Sequence, residues 1–132
     1  MNPYVLIVDD DDLNREIIAE YISDAGYQYD MAENGLEAVN LAAKNAYDVI
    51  LMDIMIPVMD GLVATMSIRA DHENDSNSPK IVAVTAKRLH DTSRSLIRAG
   101  FNEYLAKPYT ESDILTAVST SINPLTSLES YT

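Results

Sequence analysis

Five short apolar stretches alternate with five stretches of helical pattern, and this alternation predicts an α/β domain: a parallel sheet covered by helices on both faces. Two further observations point the same way. Tyr4–Val8 (YVLIV) and Val49–Met52 (VILM) are continuously apolar, as strands buried on both faces are. Polar groups follow the strands directly, and ligands in such folds bind beyond the carboxyl ends of the strands, with right-handed crossovers between them.

The elements read in order as follows. After Tyr4–Val8 come four aspartates, Asp9 to Asp12; Asp11 and Asp12 suit an acidic helix start. Leu13, Ile17, Ile18, Tyr21 and Ile22 recur at helical spacing, and Gly26 fits the stop. Tyr27–Met31 is a second, weaker strand. Asn34, with Glu37 three residues on, resembles a capping box before a helix whose inward residues are Leu36, Val39 and Ala43. Val49–Met52 is the third strand, and Pro57 and Gly61 punctuate the loop after it. A helix from about Leu62 to Ala70 leads to DHENDSNSP, an exposed loop. Ile81–Val84 is the fourth strand, and a weakly patterned helix over Thr92–Ala99 ends at Gly100. Glu103–Leu105 is the fifth strand. Thr110 and Asp113 cap a last helix with Ile114, Leu115, Val118 and Ile122 on one face. The expected unit is 1–123, with 124–132 as a frayed tail or linker stub.

Composition narrows the function classes. The 132 residues suffice for one domain, and 47 % apolar content suffices for its core. There is no Cys, so disulfides and thiolate metal sites are excluded. The net charge of −12, from 21 acidic and 9 basic residues, argues against a nucleic-acid surface and makes clustered carboxylates candidate cation sites. Asp53, Pro57 and Asp60 break the longest apolar run, so no segment suits a membrane span. The start carries no basic leader pattern, and the expected location is cytoplasmic.

One constellation carries chemistry. Asp53 stands inside VILMDIMIPVMDG, where an uncompensated charge costs several kcal/mol on burial. In the proposed fold Asp9 and Asp10 after the first strand, Asp53 after the third, Thr85 ending the fourth and Lys107 after the fifth share one edge of the sheet. Three close carboxylates repel one another and call for a cation. Oxygen-only ligands favour Mg²⁺ over zinc. A lysine and a threonine hydroxyl opposite the metal suit a phosphoryl group, and one carboxylate is then free to act as nucleophile.

VLIVDDDDLNREI, VILMDIMIPVMDG, VAVTA and YLAKP, in this order and spacing, resemble the receiver domain of response regulators in two-component signalling, over about Tyr4 to Ile122. The resemblance implies a flavodoxin-like doubly wound sheet of order 2-1-3-4-5, an order for which a receiver domain is itself a standard example. It implies that Asp53 is the phosphoacceptor and that Asp9 and Asp10 hold Mg²⁺, Asp10 directly and Asp9 partly through water. It implies that Met55 lends its backbone carbonyl to the metal, that Thr85 and Lys107 contact the phosphoryl group, and that Tyr104 reports the phosphorylation state by its rotamer. It also implies a cis Lys107–Pro108 bond. The implied partners are a histidine kinase or histidine phosphotransfer protein and an output protein, and the only catalysis is of the domain's own phosphorylation and dephosphorylation.

Other classes lack their signatures. A haloacid-dehalogenase-type phosphatase needs a second Asp where Met55 stands. A P-loop or Rossmann enzyme needs a glycine-rich turn after the first strand, and none of the 4 glycines is there. A flavin binder needs a hydroxyl-rich loop where Asp9 to Asp12 stand. A pseudo-receiver usually lacks a key residue, and none is missing. His72 and His90 are expected on the surface, as neither ligands nor bases, and the methionines as core or loop filler. The opening MNPYVLIVDD favours a stand-alone regulator over a domain of a hybrid kinase, while the tail serves equally as the start of a linker.

Overall fold

The structure, a computed structural model, describes residues 2–56, 58–73, 78–86 and 89–125, with the side chains of 89–92 excepted. The elements are β1 (Tyr4–Val8), α1 (Asp12–Asp24), β2 (Gln28–Ala32), α2 (Gly35–Lys44), β3 (Val49–Asp53), α3 (Gly61–Asp71), β4 (Lys80–Thr85), α4 (Leu89–Ala99), β5 (Glu103–Ala106) and α5 (Glu111–Ser119). The strands form one sheet of order β2-β1-β3-β4-β5, and every neighbouring pair is parallel. Pro57, the loop residues 74–77, the His90 side chain and the tail 126–132 lie outside the described residues.

The continuous apolar strands are buried on both faces because alternate residues feed two cores. Leu6, Val8, Ile50, Met52, Ile81 and Ala83 face α2, α3 and α4 through Ala38, Ala42, Ala64, Ile68 and Leu96. Val5, Ile7, Val49, Leu51, Val82 and Val84 face α1 and α5 through Ile18, Ile22, Ile114 and Val118. Each large aliphatic side chain so buried contributes roughly 1.5–3 kcal/mol.

Polar residues set the helix ends. Asp11 caps α1, accepting from the Leu13 and Asn14 amides at 2.9 and 3.1 Å. Asp60 caps α3 through the Val63 amide. Thr110 and Asp113 form both halves of the expected capping box. At α2 the box is offset: Asn34 accepts from the Glu37 amide at 2.8 Å, but the Glu37 carboxylate takes the Glu33 amide. Gly26 ends α1 at φ +85°, the left-handed region that suits glycine.

Three inward assignments are corrected. Leu13 is 64 % exposed in the first turn of α1, whose buried residues are Ile18, Ala19 and Ile22. Leu36 is 46 % exposed and Ala43 is also outward; the buried face of α2 is Gly35, Ala38 and Ala42. A Cβ on Gly35 would lie 1.9 Å from the Met59 carbonyl oxygen, so α2 approaches its neighbours on small residues and turns Leu36 outward. The fourth helix begins at Leu89, ahead of the expected Thr92.

Candidate functional site

Strand register assembles the site. Val8 pairs with Met52, so Asp9 and Asp53, the residue after each, emerge side by side. Asp53 pairs with Val84, which sets Thr85 one step beyond. Thr85 pairs with Ala106, which sets Lys107 one step further, and the Lys107 amide donates to the Thr85 carbonyl at 3.0 Å. The four residues come from four separate stretches of sequence, and the parallel sheet brings their strand ends to one edge.

Asp53 is only 3 % exposed, and both carboxylate oxygens are engaged. Oδ1 accepts from the Met55 amide at 3.0 Å, and Oδ2 accepts from Lys107 Nζ at 2.9 Å. The Met55 side chain points outward and is 64 % exposed, so only its backbone takes part. Gly61 permits this loop: a Cβ there would fall 2.6 Å from the Asp53 carbonyl oxygen.

Asp9 is buried beside it, and Asp10 is exposed. Burial pushes the Asp9 carboxyl above the usual carboxylate range; the Asp11 amide on Oδ1 at 2.9 Å opposes the shift, and the charge of Asp53 adds to it. Burial works against the charge of Lys107, but the hydrogen bond and charge of Asp53, with Asp9 and Asp10 behind it, carry its ammonium above the ordinary lysine value. Tyr109 is pushed up to about 12, first by burial and then by the charges of Asp9 and Asp53.

Ligand atoms from Asp9, Asp10 and Asp53 lie within 4.8 Å of one another. Among the described residues three carboxylates meet there against the ammonium of Lys107. A hard divalent cation with oxygen ligands fits that donor set and that charge. The Lys107–Pro108 peptide bond is cis, as expected. Tyr104 is half-buried on β5 and packs against the core shared with α4. His72 is half-buried, with Nδ1 3.0 Å from the Ile68 carbonyl, away from the acidic edge.

Three contributors were not apparent from residue pattern. Arg15 donates from Nη1 to the Asp9 carbonyl at 2.6 Å and also pairs with Asp12, so it fixes the backbone beneath the acidic pair. Its place one turn into an acidic helix start is the signal that could have pointed to it. Tyr109 follows Lys107-Pro108 directly, and Gly61 was legible only as loop punctuation.

A family model described as a response regulator receiver domain matches residues 5–119. The chain is 40 % identical over 120 residues to hybrid signal transduction histidine kinase B of Dictyostelium discoideum, covering 84 % of this chain and 6 % of that protein. Among solved structures it is similar to the receiver domain of a Pseudomonas aeruginosa sensor histidine kinase with a magnesium ion coordinated in its active-site cleft. That match has a TM-score of 0.78 and 33 % identity over 89 % of this chain and 95 % of that one. It is also similar to a Saccharomyces cerevisiae complex of a histidine phosphotransfer protein with the receiver domain of its downstream response regulator. There the TM-score is 0.84 and identity 28 %, covering 89 % of this chain and 87 % of that one. The chain spans a small part of the length of the curated relatives it matches.

Proposed function

The chain belongs to the response regulator receiver domain family, and from that premise we propose that it is a phosphorylation-dependent signalling switch with Asp53 as phosphoacceptor. The observation that carries this reading is the contact of Lys107 Nζ with Asp53 Oδ2 at 2.9 Å, across 54 residues and beside Asp9 and Asp10.

A carboxylate oxygen of Asp53 attacks the phosphorus of a donor phosphohistidine. A P–O bond forms, the P–N bond breaks, and the imidazole leaves with its electron pair. The donor is a histidine kinase or histidine phosphotransfer protein. Lys107 follows the incoming oxygens as a point charge, so catalysis is positioning and electrostatics. Asp9, Asp10, Asp53 and the Met55 carbonyl would hold Mg²⁺, which would neutralise charge on the transferring group. The Met55 amide keeps Asp53 oriented on its strand end. Water later cleaves the acyl phosphate and restores the carboxylate. The domain catalyses only these two reactions on itself.

The added group brings about −1.5 to −2 charge. The Thr85 hydroxyl turns to it, Tyr104 moves inward, and the surface of α4, β5 and α5 changes its preference for an output protein. With a net charge of −12 the domain's own surface favours protein partners over nucleic acid. The proposed unit is 1–123, and Pro124 and Leu125, expected in the tail, pair back onto β5.

The test is incubation with acetyl phosphate, with and without Mg²⁺, read by intact mass. One phosphoryl adduct that needs Mg²⁺ and is lost in Asp53→Asn is expected. No adduct in either condition would reduce the domain to an interaction module without phosphorylation.

A further inference from the structure

β5 is an edge strand, and its outer side is not bare. After α5 the chain turns at Asn123, which adopts φ +41°, a conformation Asn tolerates. It then runs antiparallel along β5, with Pro124 opposite Glu103. The Tyr104 amide donates to the Asn123 carbonyl and Asn123 Nδ2 donates to the Tyr104 carbonyl, both at 3.3 Å. The Leu125 amide donates to the Asn102 carbonyl at 2.8 Å, and the Leu125 side chain packs against the core shared with α3 and α4.

The root of this segment is anchored separately. Buried Glu103 accepts from Ser121 Oγ at 2.9 Å and from the Ile122 amide at 3.0 Å. Lys80 Nζ pairs with Glu103 at 3.3 Å and donates to the Thr120 carbonyl, closing the C-terminal end of α5. The two bonds at Tyr104, both 3.3 Å, are longer than the hydrogen bonds that anchor Ser121, Ile122 and Leu125.

We propose that Asn123–Leu125 is a strap across the β5 edge whose closure is linked to the state of Asp53; this rests on the reading of Asp53 as phosphoacceptor. β5 is only four residues long. Just past one end, Lys107 holds Asp53; within it, Tyr104 holds the strap. When a phosphoryl group replaces the direct Lys107–Asp53 contact, the strand end shifts, and the strap yields at its weakest point, Tyr104. The strap thus covers the edge in the resting state and uncovers it in the phosphorylated one. Pro124 offers no amide donor, so the closed strap presents a blunted edge to other chains.

Linkage is reciprocal: a strap that opens on phosphorylation must, when weakened, favour the phosphorylated state. The full chain is compared with and without Mg²⁺ and beryllofluoride, with amide hydrogen exchange followed at Tyr104 and Leu125 by NMR. Exchange at both amides is expected to rise about tenfold on beryllofluoride binding, as a local opening does. Asn123→Gly keeps the positive φ and removes only the side-chain bond, and Leu125→Ala removes the packing. Each is expected to raise the apparent beryllofluoride affinity about fivefold. Beryllofluoride that shifts Asp53 and Lys107 while leaving both amides and both affinities unchanged overturns the strap and leaves the switch standing. Absence of any beryllofluoride response at Asp53 overturns the phosphoacceptor reading and the linkage with it.

Discussion

Lys107 Nζ sits 2.9 Å from Asp53 Oδ2, with the lysine side chain 30 % exposed and the aspartate 5 %. It is a pair formed by the fold alone, since the two residues stand two strands apart in the sheet. A charge that looks misplaced within VILMDIMIPVMDG is compensated from a distant strand end. Replacing Lys107 by Ala removes a charge-assisted hydrogen bond of roughly 1.5–3 kcal/mol. Adduct formation from acetyl phosphate in Lys107→Ala is expected to slow by about 10- to 100-fold, measured by intact mass against time.

Asp10 gives a cleaner handle on the cation. It is exposed, so Asp10→Asn leaves the core untouched. Mg²⁺ at about one hundred times its dissociation constant is expected to stabilise the wild type by about 2.7 kcal/mol. The same Mg²⁺ concentration is expected to stabilise Asp10→Asn far less, and thermal melts with and without the ion measure the difference.

Asp9 predicts a pH dependence in metal-free protein. Burial raises its folded-state value, with Asp53 adding to the shift, so the folded chain holds this proton to higher pH than the unfolded chain does. Stability from this group is therefore greatest below the ordinary carboxylate range and falls as pH rises through the raised folded value. Asp9→Asn removes that loss. It is expected to raise Tm at neutral pH, with the gain disappearing as pH drops below the ordinary range. A gain independent of pH would contradict the assignment.

Glycine substitutions separate two causes of strain. Gly61→Ala drives a Cβ to within 2.6 Å of the Asp53 carbonyl oxygen and 2.7 Å of Ile54 Cα, backbone atoms that cannot rotate aside. It is expected to cost about 1–3 kcal/mol in urea unfolding and to slow phosphorylation with it. Gly26→Ala meets no atom within 4 Å and is strained only by its positive φ. A cost of about 1 kcal/mol with an unchanged phosphorylation rate is expected there.

The residues at the strand ends were legible because a parallel sheet converts sequence position into spatial position. Once YVLIV, VILM and IVAV are strands, Asp9, Asp53 and Thr85 have only one edge to occupy. What stayed hidden depends on backbones in close approach. Gly35, Ala38 and Ala42 form the buried face of α2, yet apolar periodicity weights large side chains and selected Leu36. Arg15 acts on a carbonyl, and Asn123–Leu125 is held by main-chain bonds to Asn102 and Tyr104. Such bonds leave little trace in residue type.

The central claim is chemical, that the phosphoryl group resides on Asp53. Borohydride reduces an aspartyl phosphate to homoserine and leaves free aspartate intact. Protein treated with acetyl phosphate and Mg²⁺, reduced, digested and sequenced by mass spectrometry is predicted to carry homoserine at position 53 and aspartate at positions 9, 10 and 60. Homoserine at another position, or aspartate retained at 53 in protein that carries the adduct, would contradict the account.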